Sequence, residues 1–218
     1  KYQKKKPFFI GHFQFVQSQY ERWQLNLPLV VPHYAVKSNP DRRLVQTLSS
    51  LGANFDCASM KEIQEVLSIA KDPNRIIFAH PFKIPSHLEY AYSVGVNRMT
   101  ADTVSELEKI RLYHKNAKVQ IRMKPDDSTS LCQFSAKFGA TTQEAFAMLD
   151  YAKQFNIDII GTSFHVGSSA QSASVFSGVL KDCSTVFSRG IELGFHMNFL
   201  NIGGGFPGGN ASLGDSFE

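Results

Sequence analysis

The sequence predicts an α/β fold, a (β/α)8 TIM-type barrel with about seven of its eight strands present. Three observations carry that prediction. Short apolar or β-branched runs recur along the chain, stretches with helical spacing alternate with them, and a glycine-rich string follows the last run. Strands alternating with helices build a parallel sheet. Seven strands are many for a doubly wound domain and one short of a closed barrel.

In chain order, the predicted strands are residues 29–36, 54–57, 76–79, 98–100, 119–123, 159–164 and 199–202. The intervening helices carry their own start signals. Ser59 with Glu62 reads as a capping box ahead of Ile63, Val66, Leu67 and Ala70 on one helical face. Thr103 with Glu106 repeats the device, and so does Thr141 with Glu144, which leads into Ala145, Met148, Leu149 and Ala152. Phe176, Val179, Leu180, Cys183 and Phe187 form a further stripe, closed by Gly190. Gly52 and Gly95 stand where helices should stop. Residues 1–28 are an N-terminal segment leading into the barrel, 29–208 the barrel itself, incomplete, and 209–218 a polar loop or tail. No eighth strand follows Gly208, so the chain is expected to stop inside its own fold with two strand edges bare. The opening Lys1, with no methionine, leaves a lost start or targeting segment open.

Composition narrows the function classes. A chain of 218 residues with 43% hydrophobic content buries a sizeable core. The net charge of +4 is mild. Lys4, Lys5 and Lys6 read as a solvated terminal face, and no basic stripe interleaved with aromatics points to nucleic acid. Cys57, Cys132 and Cys183 are an odd number without metal-ligand spacing, which suits a reducing compartment and packing thiols, with no metal expected. No apolar run reaches the length that spans a bilayer.

The polar residues fall at strand ends. Lys37 follows Tyr34-Ala35-Val36, Asp56 follows Asn54-Phe55, Arg122 follows Gln120-Ile121, and His165 follows Thr162-Ser163-Phe164. In a (β/α)8 barrel all strand C-termini open onto one mouth, where the active site lies. Residues scattered from 37 to 165 are therefore expected to converge. Each has a plainer reading beside it: a lysine there also fits a snorkelling surface side chain, and a histidine a hydrogen-bonded core residue. Behind His165, Val166-Gly167-Ser168 suggests a tight turn presenting donors. The strongest local signal is Gly203-Gly204-Gly205-Phe206-Pro207-Gly208. Glycines after the seventh strand let backbone amides approach a phosphate. The string also satisfies G-x-G-x-x-G, but a dinucleotide fingerprint belongs in the first βα turn, and Pro207 interferes with the helix it needs.

Taken together, Tyr34-Ala35-Val36-Lys37-Ser38-Asn39, Phe55-Asp56-Cys57-Ala58-Ser59, Lys137-Phe138-Gly139-Ala140, Ser163-Phe164-His165-Val166-Gly167-Ser168 and the glycine string resemble the eukaryotic-type ornithine decarboxylase family in order and spacing. These are pyridoxal-phosphate-dependent decarboxylases built on an alanine-racemase-like barrel. The resemblance implies pyridoxal 5'-phosphate as cofactor, carried covalently by Lys37, which also serves in proton transfer. It implies that His165 stacks on the pyridine ring, that Ser168, Gly203, Gly204 and Gly205 bind the phosphate, and that Asp56 and Arg122 line the cofactor pocket. The implied reaction is decarboxylation of L-ornithine to putrescine in polyamine biosynthesis, in the cytoplasm. The implied assembly is a homodimer with active sites shared between subunits. An antizyme-like regulator stays open as a partner. The resemblance also places a pyridine-facing acid, the readers of the substrate's distal end and a C-terminal β-domain beyond Glu218.

His80 stands where the family usually has asparagine, and Asn201 where it commonly has aspartate. Two other readings stand beside the first: decarboxylation of diaminopimelate, arginine or lysine, and a non-catalytic antizyme-inhibitor-like regulator. Retention of Asp56 argues against the latter.

Overall fold

The computed structural model describes residues 10–125, 137–167 and 174–206. Seven strands lie side by side in sequence order, every neighbouring pair parallel. They are β1 (His33–Ala35), β2 (Asn54–Cys57), β3 (Ile76–Phe78), β4 (Arg98–Ala101), β5 (Lys118–Arg122), β6 (Asp158–Ser163) and β7 (Phe199–Asn201). The helices α1 (Phe13–Asn26), α2 (Arg42–Leu51), α3 (Met60–Ala70), α4 (Pro85–Ser93), α5 (Val104–Tyr113), α6 (Thr142–Gln154) and α7 (Ser174–Glu192) precede or connect them.

Strand alternation divides the sheet into two faces. Phe55, Cys57, Ile76, Phe78, Met99, Val119, Ile121 and Ile159 form one buried cluster with Ile63, Val66, Leu88, Leu107, Ile110, Leu149 and Val186 of the helices. The intervening positions face the other way. Asp56, Thr100, Gln120, Arg122 and Ser163 fall on that inner face by their register pairing. The inner face is curled. In a flat sheet β4 and β7, three spacings apart, would be about 14 Å from one another, yet the Arg98 guanidinium sits 5.6 Å from the centroid of the Phe199 ring. Beyond the last strand, Phe206 packs edge-on against Trp23 of α1, ring centroids 5.0 Å apart. The two ends of the sheet thus approach one another, as in a barrel, although among the described residues β1 and β7 do not pair.

The caps behave unequally. Of the three expected capping boxes, Thr141–Glu144 alone is fully reciprocal. Ser59 accepts from the Glu62 amide, but the Glu62 carboxylate reaches back one residue further, to the Ala58 N–H at 2.6 Å. Thr103 likewise accepts from the Glu106 amide, while the Glu106 carboxylate turns to two lysines. Gly52 follows α2 in the left-handed region, and Gly95 follows α4.

Two local expectations need correction, and the N-terminal segment gains a helix. The first strand is short: Pro32 has no N–H to donate, Leu29 is 95% exposed, and Val36–Ser38 curls into a 3-10 turn. Gly190 does not close its helix, which runs to Glu192. A Cβ at that position would lie 2.8 Å from the Met197 side chain, so the glycine serves close packing. The N-terminal segment contains α1, whose apolar positions give no fully buried residue and whose His12 cap makes no side-chain bond. Those are the signals that would have shown it. Among the described residues no helix is long and apolar enough to cross a membrane.

Candidate active site

The C-terminal ends of β1, β2, β5, β6 and β7 carry Lys37, Asp56, Arg122, His165 and the glycines from 203 onward. In a parallel sheet these ends share one rim, so the local reading that put a reactive residue after each strand becomes a single mouth.

Lys37 and Asp56 sit side by side. Ala35 pairs in register with Asp56, and Lys37 lies two residues further on, within the 3-10 turn Val36–Ser38. Burial pushes the Asp56 carboxyl up to about 6, and the Lys37 ammonium opposes that rise. Glu62 adds to the rise, and Arg122 works against it. Asp56 on β2 therefore responds to Arg122 on β5, across the curled inner face. Its sequence neighbour Cys57 points outward and is fully buried, and burial drives its thiol pKa up, so it is a packing thiol. Cys183 is buried too; Cys132 and Ser168 lie outside the described residues.

On the opposite side, the Gly167 amide donates to His165 Nδ1 at 3.1 Å. That bond leaves Nε2 to carry the hydrogen of the neutral ring. The ring is met by the glycine turn: a Cβ on Gly204 would come within 3.1 Å of His165 Nε2. Gly203 is in the left-handed region (φ +69°), and a Cβ there would collide with the Phe164 carbonyl. Asn201, at the end of β7, accepts from the Gly203 amide at 2.9 Å and sets the turn. Bare backbone held this close to an imidazole is a cradle that side chains would fill, and it leaves room for an anionic group beside the turn. Ser163, in register with both Arg122 and Asn201, keeps its hydroxyl buried without a hydrogen-bond partner among the described residues. An amine, a half-buried carboxyl, a guanidinium, a fixed imidazole, a glycine turn and a hydroxyl unpartnered among the described residues fit, on one rim, a planar, phosphate-bearing aldehyde cofactor.

Two residues of the site carry only local signals in the sequence. Glu62, taken for a helix cap, also acts on the titration of Asp56. Phe138 lies 5.1 Å from the Arg122 guanidinium, with the His80 ring edge-on at 6.0 Å. The run from Lys137 to Ala140 marked the segment without indicating those contacts.

Known proteins resemble the chain along most of its length. The pattern of the pyridoxal-dependent decarboxylases, in their pyridoxal-binding domain, matches residues 14–216. The chain is 44% identical over 211 residues to ornithine decarboxylase of Neurospora crassa, covering 97% of this chain and 43% of that protein. It is 45% identical over 204 residues to ornithine decarboxylase of Rattus norvegicus, covering 94% of this chain and 44% of that protein. The chain thus spans less than half the length of these curated relatives. Among solved structures it superposes on the arginine decarboxylase of Paramecium bursaria Chlorella virus with a TM-score of 0.89 and 39% identity, covering 94% of this chain and 55% of that one. For ornithine decarboxylase of Entamoeba histolytica the TM-score is 0.81 and the identity 33%, covering 88% of this chain and 53% of that one.

Proposed function

The chain belongs to the pyridoxal-dependent decarboxylases, as their pyridoxal-binding domain, and from that premise we propose that the protein converts L-ornithine to putrescine and CO2, with Lys37 carrying pyridoxal 5'-phosphate. The observation that carries the proposal is the shared rim that holds Lys37, the half-buried Asp56 beside it and the Gly203–Gly204 turn against His165. Ornithine as substrate is supported by the identity to the Neurospora and rat enzymes.

Bound there, the cofactor supplies a sink for the electron pair left on the α-carbon when the substrate's carboxylate departs. The residues of the chain do the rest. Lys37 would hold the cofactor through its ε-amine, and the same amine in the mouth would move a proton at the α-carbon. Asp56, whose carboxyl titrates at about 6, stands beside Lys37 and would hold it in register with the cofactor. His165, its ring fixed by the Gly167 amide, would offer a face to the cofactor ring. Gly203, Gly204 and Gly205, with Ser168, take the phosphate, and Arg122 completes the pocket wall.

Within the same proposal the protein works in the cytoplasm as a homodimer with shared active sites, and an antizyme-like protein is the regulator to examine. A second reading, a neighbouring basic amino acid as substrate, rests on superposition alone, that on the viral arginine decarboxylase. One experiment separates the readings. The protein is loaded with pyridoxal phosphate and offered ornithine, arginine or lysine, with CO2 and diamine measured. Borohydride reduction and peptide mapping then locate the cofactor. The proposal expects putrescine and a tag on Lys37. Agmatine or cadaverine as main product would reassign the substrate, and a tag elsewhere, or no CO2 from any of the three, would overturn it.

A further inference from the structure

Away from the proposed chemistry, one ionic cluster is buried under the rim. Lys83, in the turn between β3 and α4, has a side chain with no exposed area and Glu106, on α5, one that is 2% exposed; their charged atoms are 2.8 Å apart. Lys109, one turn further along α5, adds a second cation to Glu106 at 2.5 Å. The cluster grips the backbone as well. The Lys83 amide donates to Glu106 at 3.1 Å, and Lys109 Nζ donates to the Lys83 carbonyl at 2.7 Å. Lys83 Nζ also donates to the Thr100 carbonyl at 2.5 Å and to the His80 carbonyl at 3.2 Å. The amide, carbonyl and side chain of Lys83 are thus all held by neighbouring elements. Ion pairs this deep repay their desolvation poorly against an apolar core, so a role in fixing geometry accounts for the cluster better than stability does.

What is fixed is the turn from His80 to Lys83. The Phe82 amide donates to His80 Nδ1 at 3.1 Å, which sets the His80 ring. That ring meets Phe138 edge-on at 6.0 Å, and Phe138 lies under the Arg122 guanidinium at 5.1 Å. Phe138 is steadied from the same quarter, because Asp102, at the end of β4, accepts from the Gly139 amide at 2.9 Å. A continuous path of contacts runs from Lys83 through His80 and Phe138 to Arg122, whose charge acts on Asp56.

We propose that Lys83, held by Glu106 and Lys109, is a positioning residue for the cofactor pocket: it fixes the His80 turn so that His80 and Phe138 hold the Arg122 guanidinium beside the cofactor. The inference rests on the pyridoxal-phosphate reading of the site. Its test is a double-mutant cycle on Lys83→Met and Phe138→Ala, read as the dissociation constant of pyridoxal phosphate by fluorescence titration of the cofactor-free protein. Each single substitution is expected to weaken binding about tenfold, as loss of support behind a ligand contact does. The double variant is expected to lose no more than either one. Independent, multiplying losses, or unchanged affinity in Lys83→Met, would overturn the inference and leave the cluster a structural feature. Should Lys83→Met fail to fold, Lys109→Met removes only the outer grip; it is expected to weaken binding about threefold, a smaller share of the same support, and again only when Phe138 is present. A wild-type protein that does not bind pyridoxal phosphate refutes the functional proposal instead, so the two failures are distinguishable.

Discussion

Asp56 should make the cofactor-free protein less stable near neutral pH than an isosteric neutral residue would. Its carboxyl titrates at 3.8 in an unfolded chain and at about 6 in the fold, with burial the largest cause. Between those values the native state holds a proton that the unfolded state has released, so stability falls as pH rises through that window. This is the reverse of an ion-paired carboxylate. A difference of about 2 pKa units corresponds to about 3 kcal/mol once both states are ionised. The carboxyl stands at the rim with some contact to solvent, which brings the expected cost to about 1–2 kcal/mol. Asp56→Asn removes that cost. For a chain of this size the variant should melt about 2–8 °C higher at pH 8. The gap should shrink to about a third by pH 4.5 and close below pH 4. Paired melting curves of cofactor-free wild type and Asp56→Asn from pH 4 to 8 make the measurement, since every other titrating group is common to both. A gap that does not depend on pH, or a variant less stable than wild type at pH 8, would refute the reasoning.

Other outcomes follow from single contacts. His165→Ala should lower turnover about a hundredfold or more, as for a positioned catalytic group, with little change in melting temperature; an unaltered rate with a large loss of stability would mark a core histidine instead. Gly203→Ala forces a Cβ into the Phe164 carbonyl at a left-handed φ. It should cost about 1–3 kcal/mol in denaturant titrations and weaken pyridoxal-phosphate binding, and a neutral result would separate this turn from the phosphate. Thr141→Ala opens the complete capping box of α6. It should cost about 1 kcal/mol, with cofactor affinity unchanged.

The order of the elements and the identity of the rim residues were legible in the sequence, because the signals that encode them are local. Short apolar runs marked the seven strands, and period-3.6 patterns with Ser, Thr and Gly at the ends marked most helices. A reactive side chain after an apolar run is a feature of adjacent positions, so Lys37, Asp56, Arg122 and His165 could be found without a fold. Helix α1 escaped because it buries none of its residues fully, and burial is what imposes a pattern. The tertiary structure alone decided how far the sheet curls, which brings Arg98 against Phe199 and the charge of Arg122 to bear on Asp56. It alone showed that Glu106, whose place in the sequence is that of a cap, spends its carboxylate on Lys83, 23 residues away. Ion pairs and titration shifts depend on distance and desolvation in three dimensions, and neither leaves a period in the chain. The sequence therefore determined which groups the mouth holds, and the folded barrel decided which of them feel one another.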